Sequence, residues 1–428
     1  MTEEGSLLKN SNHYPIQVKN LSPELEPWVK KAEERIFSIA AGERIALIAP
    51  EVMKIGFGKI LYAANELGAD IDRNKPFVLF APDGTCTYNE LRIKRAFTYG
   101  CLIKADFDGF IAAQNAMPNG CGYSLFELKD PPEDGALINQ AELIRQNITK
   151  EQAIELGKGN HFIALYYVLD SVSGEDTGRR FALLHCSGHD VKKEPLYNQD
   201  WLEREDGYHK IQTPHGEIWL LEGDAKQKYL LEYEKFEKIN IEGRNNVMHD
   251  FYESDSFEPL MDLTHQGLAE NGKYLKLGVH LREDIVPVAF NAEEGTIIMK
   301  TKPNLSEEFL KKWKYYEKIK ELGYEQEIKG IDMTPHGSGY EFKYPIKSCS
   351  YKLDNNGITD FSISLKLPDG KIKQISATYF KQLRDFMVYR RKISIMKEVF
   401  LADLAEPIYD LKPLIQIHPR KSIPGGLY

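Results

Sequence analysis

The sequence predicts an α+β fold, and two observations lead to that class. Short apolar runs typical of strands are mixed with amphipathic stretches typical of helices, without the regular alternation of a parallel βαβ protein. Residues 350–365 alternate between apolar and polar side chains, as antiparallel strands do. Apolar residues make up 42% of the 428 residues and charged residues 28%, which is the balance of an ordinary globular protein.

The first elements are predicted from capping residues and apolar runs. Residues 22–40 have the pattern of a helix, because Ser22 can cap it, Pro23 suits its first turn and the following apolar residues fall on one stripe. Residues 45–49 and 76–81 are short apolar runs, and we expect them to form buried strands.

The middle of the chain contains one further helix signal and two strand signals. Thr149 followed by Gln152 resembles a capping box, which predicts a short helix that ends near Gly157. The apolar runs 161–169 and 181–186 predict two strands on either side of a polar loop.

Two helices are predicted in the last third of the chain. Residues 306–323 form the clearest amphipathic stretch, with their large apolar side chains on one side. Residues 377–400 have the pattern of a long helix, and we expect the basic residues there to form its solvated face. These basic residues are Lys381, Arg384, Arg390, Arg391, Lys392 and Lys397.

The bulk properties narrow the class of function. A net charge of −9 argues against broad, sequence-blind binding of nucleic acid, which depends on a large positive field. No run of about 18 apolar residues predicts a membrane span, and the polar first residues lack the layout of a signal peptide. Five scattered cysteines are too few for a disulfide framework. We therefore expect a cytoplasmic protein without a membrane partner, whose thiols stay reduced.

Four segments place a histidine or cysteine beside glycines at the end of an apolar run. They are Asn119-Gly-Cys121-Gly122, Gly159-Asn160-His161-Phe162, His185-Cys-Ser-Gly188-His189 and Thr334-Pro-His336-Gly-Ser-Gly339. Glycine allows a sharp turn or the close approach of a ligand to the backbone. Thiolate and imidazole together suit zinc, manganese, iron or cobalt.

Each of these segments alone also fits a structural role. A single cysteine is more often a small core residue, and a single histidine at a strand end is more often a hydrogen-bonded structural group. We assign that structural role to His189, His209, His215 and His280. The tripeptide Thr-Pro-His occurs at both 213–215 and 334–336, so its sequence does not distinguish the two copies.

The order of these segments resembles the RtcB family of RNA-splicing ligases, from about residue 49 to residue 421. The family's segments read Pro-Asp-Val-His, Asp-x-Gly-Cys-Gly, Gly-Asn-His-Phe-Ile-Glu, His-Ser-Gly-Ser-Arg, His-Gly-Ala-Gly and Leu-Lys-Pro-Leu. Their counterparts here are Pro50-Glu-Val-Met53, Asn119-Gly-Cys-Gly122, Gly159-Asn-His-Phe-Ile163, His185-Cys-Ser-Gly188, His336-Gly-Ser-Gly339 and Leu411-Lys-Pro-Leu414. Six matches in the same order are hard to obtain by chance.

The resemblance implies one catalytic domain over residues 1–428, with antiparallel sheets and surrounding helices around a central metal pocket. A helical insertion at 305–330 would precede the nucleophile loop. The expected cofactors are Mn²⁺ and GTP, and the expected partners are RNA with 3′-phosphate or cyclic phosphate ends and an activating protein. The resemblance makes Cys121, His161 and His185 metal ligands, and it leaves His265 or His249 as the third histidine, of which we prefer His265 for its spacing.

The same resemblance assigns the nucleotide site. His336 is the match to the histidine that takes GMP from GTP as a covalent intermediate. The residues matched to the nucleotide-binding positions are Asn160, His336, Gly337, Gly339 and His418.

The sequence departs from the family at several contacts. Pro118 stands where the family has a metal-binding aspartate, Ala164 where it has a glutamate, and Tyr340 where it has an arginine. Three hypotheses follow: a divergent RNA ligase; a catalytically impaired relative that binds RNA ends or a protein partner and keeps a structural metal; and a metallohydrolase that opens cyclic phosphates. The retained His336 favours the first hypothesis, and the three departures favour the second.

Overall fold

The structure is a computed structural model that describes residues 14–39, 45–112, 114–131, 133–139, 161–172, 174, 178–187, 201–252, 255–303, 305–337 and 339–417. Its strands are β1 (Ile16–Lys19), β2 (Ile36–Ser38), β3 (Phe77–Thr85), β4 (Tyr99–Lys104), β5 (Asp106–Phe107), β6 (Phe110–Ile111), β7 (Cys121–Leu128), β8 (Phe162–Ser171), β9 (Arg180–Cys186), β10 (Tyr208–Thr213), β11 (Gly216–Leu221), β12 (Phe257–Ala269), β13 (Tyr274–Leu277), β14 (Val279–Leu281), β15 (Ile285–Ala289), β16 (Thr296–Thr301), β17 (Met333–Pro335), β18 (Tyr340–Phe342), β19 (Ile346–Asp354), β20 (Gly357–Lys366), β21 (Ile372–Ala377), β22 (Met387–Tyr389) and β23 (Ala405–Ile417). Its helices are α1 (Glu26–Glu34), α2 (Ile48–Glu66), α3 (Ile71–Asn74), α4 (Glu90–Lys94), α5 (Gly223–Phe251), α6 (Glu307–Lys312), α7 (Tyr316–Glu321), α8 (Glu325–Ile328) and α9 (Lys392–Leu401).

An eleven-stranded sheet organises the described part of the chain. Its strand order is β15-β16-β23-β8-β9-β7-β12-β13-β4-β3-β2, and the pairs are antiparallel except for β2 with β3. Two four-stranded sheets lie beside it, with the orders β1-β19-β20-β21 and β10-β11-β6-β5. This mixture of a large antiparallel-rich sheet with helices agrees with the predicted α+β class.

Several predicted strands are confirmed. All but the first residue of the run 76–81 lie in β3, and the runs 161–169 and 181–186 correspond to β8 and β9, which pair with each other. The alternation at 350–365 corresponds to the antiparallel pair β19 and β20. The helix predicted from Thr149 to Gly157 lies outside the described residues.

Two predictions in the first 50 residues were wrong. The run 45–49 does not form a strand, because it leads into α2, a helix that is buried on most sides and therefore shows no amphipathic period. The helix predicted at 22–40 is shorter, and Leu25 rather than Ser22 is its N-cap. Residues Ile36–Ser38 instead add a parallel strand to β3, where all three are buried.

The two C-terminal helix predictions also require correction. The stretch 306–323 does not form one helix, since Trp313 has an extended backbone and donates its indole N–H to the Ser38 carbonyl over 3.2 Å. The stretch 377–400 begins as a 3₁₀ segment, Phe380–Phe386, and continues as β22, which pairs with β18. Only its last part is helical, as α9.

The helices of the described residues bear on the question of a membrane span. None of them combines the length and the apolar character that crossing a bilayer requires.

Candidate metal centre

Strand β7 positions the candidate centre, because it lies between β9 and β12 in the middle of the large sheet. Cys121 is its first residue, and Tyr123 stands opposite His185 of β9. On the other side, Gly122 pairs with Thr264 and Cys121 pairs with Gln266, so His265 is the extra residue of a β-bulge. A bulge re-aims the side chain of the extra residue. Here it brings His265 next to His185.

Cys121, His161 and His185 form a buried cluster that could hold a metal ion. The Cys121 Sγ lies 3.4 Å from His161 Nε2 and 3.1 Å from His185 Nε2. The three ligand atoms all lie within 4.8 Å of one another. One sulfur and two imidazole nitrogens at this spacing suit a borderline or soft divalent cation.

His265 lies at the edge of this cluster. Its Nε2 is 3.4 Å from His185 Nε2, and its Nδ1 is buried without a hydrogen-bond partner among the described residues. Burial, and then the neighbouring His336 and His185, lower the pKa of His265 well below its ordinary value. A neutral imidazole is the form that binds a metal. The other candidate, His249, instead packs its ring 5.0 Å from that of Phe257.

His336 faces the cluster from the loop that follows β17. Its ring centroid lies 4.9 Å from that of His265. Its Nδ1 is 2.7 Å from Oδ2 of Asp83, a carboxylate that is fully buried. The same oxygen accepts hydrogen bonds from the backbone amides of His336 and Gly337, both over 3.2 Å. In a neutral ring, an Nδ1–H that donates to Asp83 leaves the lone pair on Nε2.

Asp83 and its support are functional residues that the sequence reasoning missed. Arg390 is fully buried and donates to the carbonyls of Pro82 and Gly84, on either side of Asp83. The Arg390 amide also donates to the Gly339 carbonyl over 3.0 Å. Our assignment of Arg390 to a solvated helix face was therefore wrong. The sequence feature that could have indicated Asp83 is the Asp83-Gly84 pair, because this pair is typical of a turn and here interrupts the apolar run of β3.

A glycine makes room for the His336 ring. Gly278 has φ +77°, and a Cβ there would lie 2.5 Å from the Tyr99 ring and 2.9 Å from Cε1 of His336. Real Cβ atoms essentially never lie closer than 3.0 Å to such a neighbouring atom. Any side chain at 278 would therefore displace one of the two rings.

A buried ion pair fixes α5 behind the centre. Arg244 is fully buried and donates to both carboxylate oxygens of Asp262 and, over 2.8 Å, to the Ser124 hydroxyl. Burial alone would lower the pKa of Arg244, but the contact with Asp262 outweighs it and the pKa is raised. A Cβ on Gly122 would lie 3.0 Å from the guanidinium, so the glycine beside Cys121 lets α5 approach β7.

The remaining predicted residues are divided between the site, other regions and the undescribed segments. Gly337 and Gly339 lie on the loop after β17, whereas Asn160, His189 and His418 lie outside the described residues. His209 and His215 have the structural roles predicted for them, since His209 contacts Glu222 and His215 binds the Ser22 amide and the Asp354 carbonyl. His280 bonds the Pro287 carbonyl, but its ring is also 5.9 Å from that of His265, so it belongs to the wall of the site.

Neither the family models nor the curated proteins contain a match to this chain. The resemblance to RNA-splicing ligases therefore depends on the ordered segments of the sequence and on how the structure groups their residues.

Proposed function

We propose that the protein is a GTP- and Mn²⁺-dependent RNA ligase similar to the RtcB family. It would join RNA 3′-phosphate or 2′,3′-cyclic phosphate ends to 5′-hydroxyl ends. One observation carries this proposal: a cysteine–histidine cluster faces a separate histidine, His336, whose Nδ1 is bound to a buried carboxylate and whose Nε2 is left as the nucleophilic atom.

The first step would be the transfer of GMP to His336. The lone pair on Nε2 attacks the α-phosphorus of GTP, a nitrogen–phosphorus bond forms, and the bond to pyrophosphate breaks. Positive charge develops on the imidazole as this happens. The carboxylate of Asp83 stabilises that charge through Nδ1, in the way that a buried aspartate orients a catalytic histidine.

The metal would be held by Cys121, His161 and His185, with His265 as a further nitrogen donor. When bound, manganese supplies Lewis acidity, because it withdraws charge from phosphate oxygens. The buried, neutral imidazole of His265 fits this donor set, since a protonated ring cannot ligate.

The second step would activate the RNA end. An oxygen of the RNA 3′-phosphate attacks the phosphorus of the GMP, and the bond to His336 Nε2 breaks. The 5′-hydroxyl of the second RNA then attacks the activated 3′-phosphate, and GMP leaves. A cyclic phosphate first requires water to open it to the 3′-phosphate.

One observation favours the second hypothesis, a catalytically impaired relative that binds RNA ends or a protein partner. Tyr340, at the position of the family's arginine, is stacked 4.1 Å from Tyr88 and its hydroxyl is 2.9 Å from that of Tyr389. This packing supplies no cation for a phosphate. Pro118 and Ala164 likewise lack the carboxylates of the family.

Labelling with GTP separates the two candidates. Incubation of the full chain with α-labelled GTP and Mn²⁺ should leave acid-labile, base-stable label on the protein, and His336→Ala should abolish it. His209→Ala is the matched control, because that histidine contacts Glu222 away from the cluster. Absence of label on the wild-type protein with saturating Mn²⁺ would refute the ligase proposal.

A further inference from the structure

Tyr123 lies among the histidines of the candidate centre, and the resemblance assigns it no role. It is 2% exposed, and its ring centroid lies 4.5 Å from that of His185 and 4.7 Å from that of His265. It shares a face of β7 with Cys121, because alternate residues of a strand point to the same side. The phenol ring therefore stands among the residues that would hold the metal.

The hydroxyl of Tyr123 extends from these histidines towards the loop after β17, which carries His336. It lies 3.7 Å from the point that a Cβ on Gly337 would occupy, next to His336. The hydroxyl makes no hydrogen bond with any residue that the structure describes.

The O–H of Tyr123 has no acceptor among the described residues, so it can donate to a group that binds beside it. The partner must fit between a cation site and the Nε2 of His336. An oxygen of a phosphoryl group meets both demands, since it is an anionic acceptor and phosphorus is the atom that His336 would attack.

We infer that the Tyr123 hydroxyl donates a hydrogen bond to a phosphoryl oxygen held between the Cys121–His161–His185 cluster and His336. The identification of that group as the α-phosphate of GTP depends on the proposed function. The binding of a phosphate by Tyr123 does not depend on the ligase reaction.

The test uses inorganic phosphate and the full chain loaded with Co²⁺, whose visible spectrum reports a change in its surroundings. Tyr123→Phe should leave the cobalt spectrum without phosphate unchanged, because the ring remains in place. It should weaken phosphate binding about 10- to 100-fold, as expected for the loss of one hydrogen bond to a charged group. The control is Tyr351→Phe, which removes the hydroxyl of another buried tyrosine, one that donates to the Glu51 carbonyl and lies on β19 of a different sheet.

Three results would overturn the inference: no uptake of Co²⁺, no spectral response of the wild-type protein to phosphate, or equal phosphate affinities for wild-type and Tyr123→Phe. The result of the GTP-labelling experiment is independent of the result of this phosphate test. Absence of GMP labelling, together with a phosphate response that Tyr123→Phe weakens, would refute the ligase and support the phosphate site.

Discussion

The most detailed prediction concerns Asp83, because one of its two carboxylate oxygens, Oδ2, accepts hydrogen bonds from three N–H groups. These are the backbone amides of His336 and Gly337, at 3.2 Å each, and Nδ1 of His336 at 2.7 Å. Asp83→Ala removes the common acceptor and leaves three buried donors. At about 1–3 kcal/mol for each, the free energy of unfolding should fall by about 3 kcal/mol or more.

Asp83→Asn removes the negative charge but keeps an oxygen that can accept hydrogen bonds. The amide oxygen can still accept from the three donors, and the weaker neutral hydrogen bonds are offset because a buried charge is removed. We therefore expect a change in the free energy of unfolding within about 2 kcal/mol. The transfer of GMP to His336 should nevertheless be slower by at least about 100-fold, since no negative charge then faces Nδ1.

Two assays measure these effects on the same samples. Urea unfolding followed by tryptophan fluorescence gives the midpoints of wild-type, Asp83→Ala and Asp83→Asn, and the rate of labelling by GTP gives the chemical effect. Equal midpoints for wild-type and the alanine variant would refute the geometry derived for the loop after β17. An unchanged labelling rate in the asparagine variant would refute the role of the carboxylate.

Two further predictions concern space and burial. Gly278→Ala should abolish GMP labelling and destabilise the fold more than Gly330→Ala does. Both glycines have positive φ, but only a Cβ at 278 meets Tyr99 and His336. Equal urea-unfolding midpoints and equal labelling for the two variants would contradict this. Burial, and then Arg95, lower the pKa of Lys59 to about 7 from 10.5, so between these values the unfolded chain binds a proton that the native protein lacks. The free energy of unfolding should therefore rise with pH, by up to about 1.4 kcal/mol per unit above pH 7 from this group, and Lys59→Met should remove that part of the slope. Urea unfolding at pH 7.5 and 8.5 measures it, and identical slopes for wild-type and variant would show that Lys59 keeps its proton.

The sequence predicted elements well where apolar runs were short and flanked by turn residues. The strands at 76–81, 161–169 and 181–186 are examples. The run at 45–49 was misassigned because a helix buried on most sides and a buried strand have the same apolar composition. Tertiary contacts decide between the two.

The candidate site was predictable only in part. Cys121, His161 and His185 could be singled out from glycines and apolar runs, and the structure groups them. Nothing local in the sequence indicates the bulge that re-aims His265. Asp83 was missed for a related reason, because its partner His336 lies 253 residues further along the chain.

The central claim is that Cys121 and its neighbouring histidines bind a metal ion, and metal stoichiometry tests this most directly. The wild-type protein, Cys121→Ser and the control Cys349→Ala, a buried cysteine of β19 in another sheet, would be incubated with Mn²⁺, desalted and analysed for bound metal. We predict at least about one ion per chain in the wild-type and control proteins and a sharp loss in Cys121→Ser, since the thiolate is part of the donor set. The same metal content in all three proteins would show that Cys121 is a core residue and would contradict the account.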